Sequence, residues 1–174
     1  MCISVDYRLA PEHRLPAACE DTMESLEWLH CLARGDSEDS WLSPFGDFRQ
    51  CILMGDSTGG NLVHEVSIRA ANMEHLHPLV LCGGIMIHPR FVREQRSRSE
   101  IETPPDIALL SIEVADKLIS LALPEGNTKD HPIVNPTGPL ASNLQNMKLS
   151  SFLVAIADHD MIRDMQFEGA CPGS

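Results

Sequence analysis

A serine within a glycine-rich segment is the residue of this sequence whose type and neighbours most clearly suggest chemistry. Ser57 is part of Gly-Asp-Ser-Thr-Gly-Gly-Asn, residues 55–61, which follows a short apolar run and precedes a stretch of helical periodicity. Gly-x-Ser-x-Gly between a strand and a helix is typical of a nucleophile elbow, a sharp turn that needs small neighbours and exposes the serine hydroxyl. We therefore predict Ser57 as a nucleophile and the backbone N–H of Thr58 as an oxyanion donor. A plain glycine-rich turn is the alternative. A phosphate-binding loop is not favoured, because no Gly-Lys-Ser/Thr sequence follows.

Asp160 is the candidate acid that would orient a catalytic base. It follows the apolar run of residues 152–157, so we expect it at the carboxyl end of a strand, where sites form in open parallel sheets. Its place after Ser57 fits a Ser…Asp…His order of catalytic groups. An equally weighted alternative is that Asp160 and its acidic neighbours cap a helix.

None of the histidines stands where this order would put the base. All eight precede Asp160, and His159, directly before it, cannot reach Ser57 while Asp160 orients it. His75 and His77 could chelate a metal only weakly, since no third ligand is suggested. The sequence therefore predicts no metal site, and it contains no cofactor motif.

Apolar runs alternate along the chain with segments of helical periodicity. The runs predict strands at residues 2–7, 51–54, 79–87 and 152–157. Helices are predicted at residues 16–34, 57–73, 107–121 and from 163 onward. Because the strands are apolar throughout, we expect an α/β fold with a mostly parallel sheet and helices on both faces. We expect a single domain over residues 1–174, with a lid-like insertion at about residues 89–145 that is irregular over residues 91–105.

Composition narrows the classes of partner. A net charge of −12 disfavours nucleic acid and anionic membrane surfaces. We expect no membrane span, because the longest apolar run is too short, and no signal peptide, because the first residues lack a basic region before an apolar one. The six cysteines are scattered without a Cys-x-x-Cys pair, which indicates free thiols in a reducing compartment. We therefore expect a cytoplasmic protein.

Three motifs resemble a known family. Ser-Val-Asp-Tyr-Arg-Leu-Ala-Pro-Glu-His at residues 4–13, followed by Pro-Ala-Ala, resembles the hallmark of the hormone-sensitive-lipase-like esterases. The segment around Ser57 is similar to that family's nucleophile motif. Asp-Met-Ile-Arg-Asp at residues 160–164 is similar to its Asp-Pro-Leu-x-Asp segment, whose first Asp is the acid of the catalytic triad. Residues 129–136 resemble those of the plant carboxylesterases, which are relatives of the gibberellin receptors.

The resemblance implies an α/β-hydrolase fold that hydrolyses small carboxylic esters with Ser57 as nucleophile and Asp160 as acid. The family also carries a His-Gly-Gly-Gly oxyanion loop before the first motif and a triad His after the acid, and this sequence contains neither. We therefore expect a partial fold that lacks the first strands and the last strand and helix, including the central strand between residues 2–7 and 51–54. Hydrolysis by such a chain is expected to be impaired. The alternatives are a non-catalytic protein that binds a small hormone-like molecule, as the gibberellin receptors do, and an inactive fragment.

Overall fold

A small parallel sheet forms the centre of the molecule. The computed structural model describes residues 1–73, 76–104, 110–145 and 147–170. Within these residues, three strands pair in the order β1-β2-β3, and they span Cys51–Asp56, Leu81–Ile87 and Ser151–Ala155. The predicted strands at residues 51–54, 79–87 and 152–157 are therefore present, and the α/β fold class is confirmed.

Helices α1 (Ala17–Arg34) and α3 (Thr58–Ala71) supply much of the core. Helix α3 follows β1 and contacts both β1 and β2, and α1 packs against α3. One face of α1 packs inward, where Leu26 is buried among the half-buried Met23, Leu29 and Ala33. Gly35 ends α1 in the left-handed conformation at φ 76°, which a glycine adopts without strain.

Two of the shorter helices lie outside residues 89–145. Helix α2 spans Leu42–Phe45, and α6 (Arg163–Ala170) follows β3. Met165 of α6 is fully buried in a cluster with residues of α3, β2 and β3. In the part of the chain that the structure describes, no helix combines the length and apolar composition needed to cross a bilayer.

The described residues between 89 and 145 contain two further helices, α4 (Arg98–Glu102) and α5 (Ile112–Ala122). Helix α4 lies within the stretch that was predicted to be irregular. It begins with a capping box: the Ser97 N–H donates to Glu100 Oε2 at 2.8 Å, and the Glu100 N–H donates to Ser97 Oγ at 3.4 Å. The Ser-x-x-Glu spacing could have indicated this helix. The start predicted for α5, at residue 107, lies outside the described residues.

Ion pairs connect these two helices to the loop that follows them. Arg96 pairs with Glu100 and Asp116, and Lys129 also pairs with Asp116. Burial raises the pKa of Asp116, but the hydrogen bonds from Arg96 and Lys129 outweigh burial and lower this pKa overall. Arg96, one of four arginines between residues 90 and 98, is thus neutralised by these carboxylates.

The strand predicted at residues 2–7 is wrong. This segment has no secondary structure, and a strand needs a neighbour to accept and donate its ladder hydrogen bonds. In the described structure, β1 pairs only with β2. The segment is held at its end instead, where the N–H of Arg8 donates to Asp21 Oδ2 at 2.8 Å and the guanidinium pairs with the same carboxylate.

One face of the sheet lacks the helices that were expected on both faces. Side chains that alternate with the core positions point away from α1 and α3, and Ile52, Met54 and Leu153 are 58%, 66% and 62% exposed. Their apolar character suggested burial. No helix in the described residues packs on this face, so the observed layers are one sheet and one helical layer.

Candidate active site

Ser57 lies at a strained turn between β1 and α3. Its backbone has φ 53° and ψ −117°, a conformation that a residue with a side chain rarely adopts. The turn is fixed by its own backbone, since the Ser57 N–H donates to the Ile87 carbonyl at 2.8 Å and the Ser57 carbonyl accepts from Gly60 at 2.9 Å. The side chain is exposed at the carboxyl edge of the sheet. This geometry is that of the turn predicted from the sequence.

Small neighbours make this turn possible. A Cβ atom on Gly55 would overlap the backbone of Gly59, and a Cβ on Gly60 would come within 3.0 Å of Pro89. Thr58 is the first residue of α3, so its N–H has no acceptor within the helix. Its role as an oxyanion donor stays a prediction.

Asp160 lies beyond β3 with its carboxylate held on both oxygens. Oδ1 accepts from the Ile162 N–H at 3.0 Å, and Oδ2 accepts from Gln166 Nε2 at 2.9 Å. The first contact leads into α6, so the helix-capping alternative has structural support beside the catalytic one. Gln166 is 0% exposed, and its Oε1 has no hydrogen-bond partner in the described residues. Sequence reasoning missed Gln166, because a glutamine near a helix start carries no distinctive signal.

The sheet order separates the two candidates. Ser57 follows β1 and Asp160 follows β3, with β2 between them. Adjacent strands lie about 4.8 Å apart, so the two strand ends are roughly 10 Å apart. In the described residues, the Asp160 carboxylate accepts no hydrogen bond from Ser57. A cavity of about 190 Å³ adjoins Asp160, but Ser57 does not line it. Its lining includes Ser99, Glu102, Asp158, His159 and Arg163.

No imidazole links the two candidates in the described residues. Neither Ser57 Oγ nor the Asp160 carboxylate has a histidine as hydrogen-bond partner. His88 follows β2, between the two strand ends, with φ 45°, and its Nδ1 is buried without a described partner. His159 is exposed, and His75 lies outside the described residues. The described part of the chain also holds no group of three His, Cys, Asp or Glu side chains that could hold a metal.

His64 is buried on α3, where its ring lies near Phe91 and Phe152. It is 5% exposed, its ring packs edge-on to Phe91 with 5.6 Å between centroids, and its Nδ1 has no partner among the described residues. Burial lowers the pKa of His64 below its usual value of 6.5. The neutral ring is thus favoured in the folded protein, and His64 belongs to the core rather than to the exposed edge where Ser57 lies.

Comparison with known proteins shows a matching family and several relatives of similar sequence. Residues 1–170 match the family described as the alpha/beta hydrolase fold. The chain is 41% identical, over 138 residues, to 3-O-acetylpapaveroxine carboxylesterase of Papaver somniferum, which covers 78% of this chain and 44% of that protein. It is 35% identical, over 165 residues, to a gibberellin receptor of Arabidopsis thaliana, which covers 94% of this chain and 43% of the receptor.

A solved esterase of Pyrobaculum calidifontis superposes with a TM-score of 0.75 at 26% identity, covering 95% of this chain and 49% of that one. The chain thus spans less than half the length of these curated relatives and about half of the solved esterase. This coverage agrees with the partial fold that the sequence predicted.

Proposed function

Because this chain belongs to the alpha/beta hydrolase fold family, we propose that it carries the nucleophile and the acid of a serine carboxylesterase for small acyl esters. The observation that supports this most is the strained Ser57 turn, which presents a hydroxyl at the start of a helix. Asp160 lies at the same edge of the sheet, two strands away. The similarity to a plant carboxylesterase supports the type of reaction.

In the proposed reaction, Ser57 Oγ attacks the acyl carbonyl of the ester. The Thr58 N–H stabilises the negative charge that develops on the carbonyl oxygen. An imidazole would accept the serine proton, with Asp160 holding that ring in the correct tautomer. Gln166 and the Ile162 N–H keep the Asp160 carboxylate in place for that role.

The missing link is the base. Because no described imidazole reaches Ser57 or Asp160, we propose that the 174-residue chain alone hydrolyses esters poorly. Loss of a triad member costs on the order of 10⁴-fold or more in rate. A second oxyanion donor contributes roughly 10²–10³-fold, and none is apparent beside Thr58 in the described residues.

Hydrolysis of p-nitrophenyl acetate by the purified chain tests this proposal. We expect a slow hydrolysis above the buffer rate that is lost in Ser57→Ala and retained in Ser67→Ala, whose hydroxyl bonds the Val63 carbonyl on the same helix. After the hydrolysis by imidazole itself is subtracted, added imidazole should accelerate the wild-type chain and give no further acceleration with Ser57→Ala, because it supplies the missing base. Equal rates in wild type and Ser57→Ala would refute the nucleophile. Turnover of about 1 s⁻¹ or faster without imidazole would refute the impairment.

A non-catalytic binding protein is the second candidate. It is favoured by the similarity to a gibberellin receptor and by the lack of a described base near Ser57. Calorimetric titration with gibberellin and with a small aryl ester separates the two functions. Saturable binding of gibberellin without Ser57-dependent hydrolysis would support the receptor-like function, whereas hydrolysis without such binding would support the esterase.

We also propose a cytoplasmic location and a lid role for residues 89–145. The described cysteines are free thiols, as a reducing compartment allows. Microscopy of a fluorescently tagged protein beside a plastid marker tests the location, and signal within plastids would refute it.

The lid role is tested by deleting residues 98–102, which should alter the preference between acetyl and longer acyl esters if these residues face the substrate.

A further inference from the structure

The side chain of Asn61 connects three separate segments of backbone. Its Nδ2 donates to the carbonyl of Arg90 at 3.1 Å and to the carbonyl of Ile133 at 2.9 Å, and its Oδ1 accepts from the Arg90 N–H at 2.7 Å. The residue is 2% exposed. Every polar hydrogen of the carboxamide is therefore used, as a buried amide requires.

The same Arg90 amide also reaches the nucleophile turn. Its N–H lies 3.3 Å from the Ser57 carbonyl, which in turn accepts from Gly60. Asn61 and Ser57 thus share one donor, on the segment that follows β2. The close approach of Gly60 to Pro89 leaves little room for this segment to shift relative to α3.

A strained backbone such as that of Ser57 persists only where its surroundings over-determine it. From these contacts we infer that Asn61 is a positioning residue, which fixes the direction of the Ser57 hydroxyl by locking the start of α3 to residues 89–92 and to the loop around residue 133. Its effect on reactivity rests on the proposed function of Ser57. Its effect on the backbone does not, so the two are measured separately.

The test uses the full 174-residue chain with Asn61→Ser and Asn61→Leu, and Asn72→Ser as the control. Asn72 lies at the C-terminal end of α3, at the opposite end of this helix from the Ser57 turn. Its Nδ2 likewise donates to a backbone carbonyl, that of Ile68, at 3.2 Å. The first measurement is hydrogen exchange of the Arg90 amide by NMR. The second is the rate and final extent of labelling by a fluorophosphonate probe, followed over a range of probe concentrations.

In the wild-type chain, we expect the Arg90 amide to exchange at least about a hundredfold more slowly than in an unfolded peptide. Asn61→Ser should raise that exchange rate and lower the labelling rate at saturating probe by roughly 10- to 100-fold. The half-saturating probe concentration and the final labelled fraction should stay within about twofold, since a misdirected hydroxyl slows reaction without unfolding the chain. Asn72→Ser should match wild type.

An unprotected Arg90 amide in wild type, or an exchange rate unchanged in Asn61→Ser, would overturn the inference. So would a labelled fraction that falls at an unchanged rate, because that pattern belongs to a residue that only maintains the folded population. If wild type is not labelled at all, the proposed nucleophile fails. Faster Arg90 exchange in Asn61→Ser or Asn61→Leu would then still support the positioning of the turn.

Discussion

Gly55 and Gly59 flank the Ser57 turn, but only Gly55 lacks room for a side chain. A Cβ on Gly55 would overlap the Gly59 backbone, whereas a Cβ on Gly59 has no atom within 4 Å. We expect Gly55→Ala to lower the free energy of unfolding by about 2 kcal/mol or more, and Gly59→Ala to change it little or raise it by up to about 1 kcal/mol, since alanine favours a helix. Urea denaturation of the two variants is the check. Equal losses would contradict the turn geometry.

Acidification should destabilise the protein through His64. Burial lowers the pKa of His64 in the folded state below the usual value of 6.5. Above pH 6.5 the ring is neutral in both states, but as the pH falls through 6.5 towards the folded pKa, the unfolded chain binds a proton that the folded chain does not. The free energy of unfolding therefore decreases as the pH falls over this window.

Urea midpoints between pH 7.5 and 5.5 measure this effect. His64→Phe, which keeps a ring beside Phe91, should show a shallower loss of stability than wild type. His159→Gln, a change at an exposed histidine, should keep the wild-type slope. The prediction fails if His64→Phe and wild type lose stability in parallel.

At the scale of elements, α4 and α6 are joined by a reciprocal pair of hydrogen bonds. The Ser99 N–H donates to Asp164 Oδ2 at 2.9 Å, and the Asp164 N–H donates to Ser99 Oγ at 3.2 Å. Each bond joins a backbone N–H of one helix to a side chain of the other, so Ser99→Ala and Asp164→Ala each remove one of the two. Each variant should lower the free energy of unfolding by about 1 kcal/mol in urea denaturation. Ser120→Ala, whose exposed hydroxyl donates to the Lys117 carbonyl within α5, should lower it by less. A loss in Ser99→Ala no larger than that in Ser120→Ala would contradict the contribution of these bonds.

Elements with a strong local signal were predictable from sequence. The strand, Gly-x-Ser-x-Gly and helix succession placed β1, Ser57 and α3 correctly, because periodicity and turn chemistry are local. Residues 2–7 carry an equally strong strand pattern but lack a neighbouring strand, so the pattern alone misled. Asn61 could not be identified, since its partner Ile133 is 72 positions away. Local patterns also do not reveal a group that could connect Ser57 with Asp160.

At the scale of the whole molecule, the uncovered face of the sheet is the main liability. Exposed apolar side chains on one face, next to a β1 strand that has a single strand neighbour in the described residues, favour association. We expect the chain to bind the dye ANS and to elute above its monomer mass. The triple variant Ile52→Thr, Met54→Thr and Leu153→Thr should at least halve the dye fluorescence and shift elution towards the monomer.

A matched control alters apolar residues that are exposed on helices instead. Ile101→Gln, Val114→Gln and Leu118→Gln change side chains of comparable exposure away from the sheet, and should leave elution and fluorescence near wild type. An equal response of both triple variants would show that general surface hydrophobicity, and not the bare sheet face, causes association.

Covalent labelling of Ser57 tests the proposed site most directly. The folded chain is incubated for hours with a fluorophosphonate, and the labelled residue is identified by mass spectrometry of its peptides. We predict one phosphonyl group per chain, on Ser57, absent from Ser57→Ala and retained in Ser67→Ala. Labelling at another residue would contradict the assignment of Ser57 as the nucleophile. A folded chain that stays unlabelled while a full-length esterase in the same buffer is labelled would contradict it too.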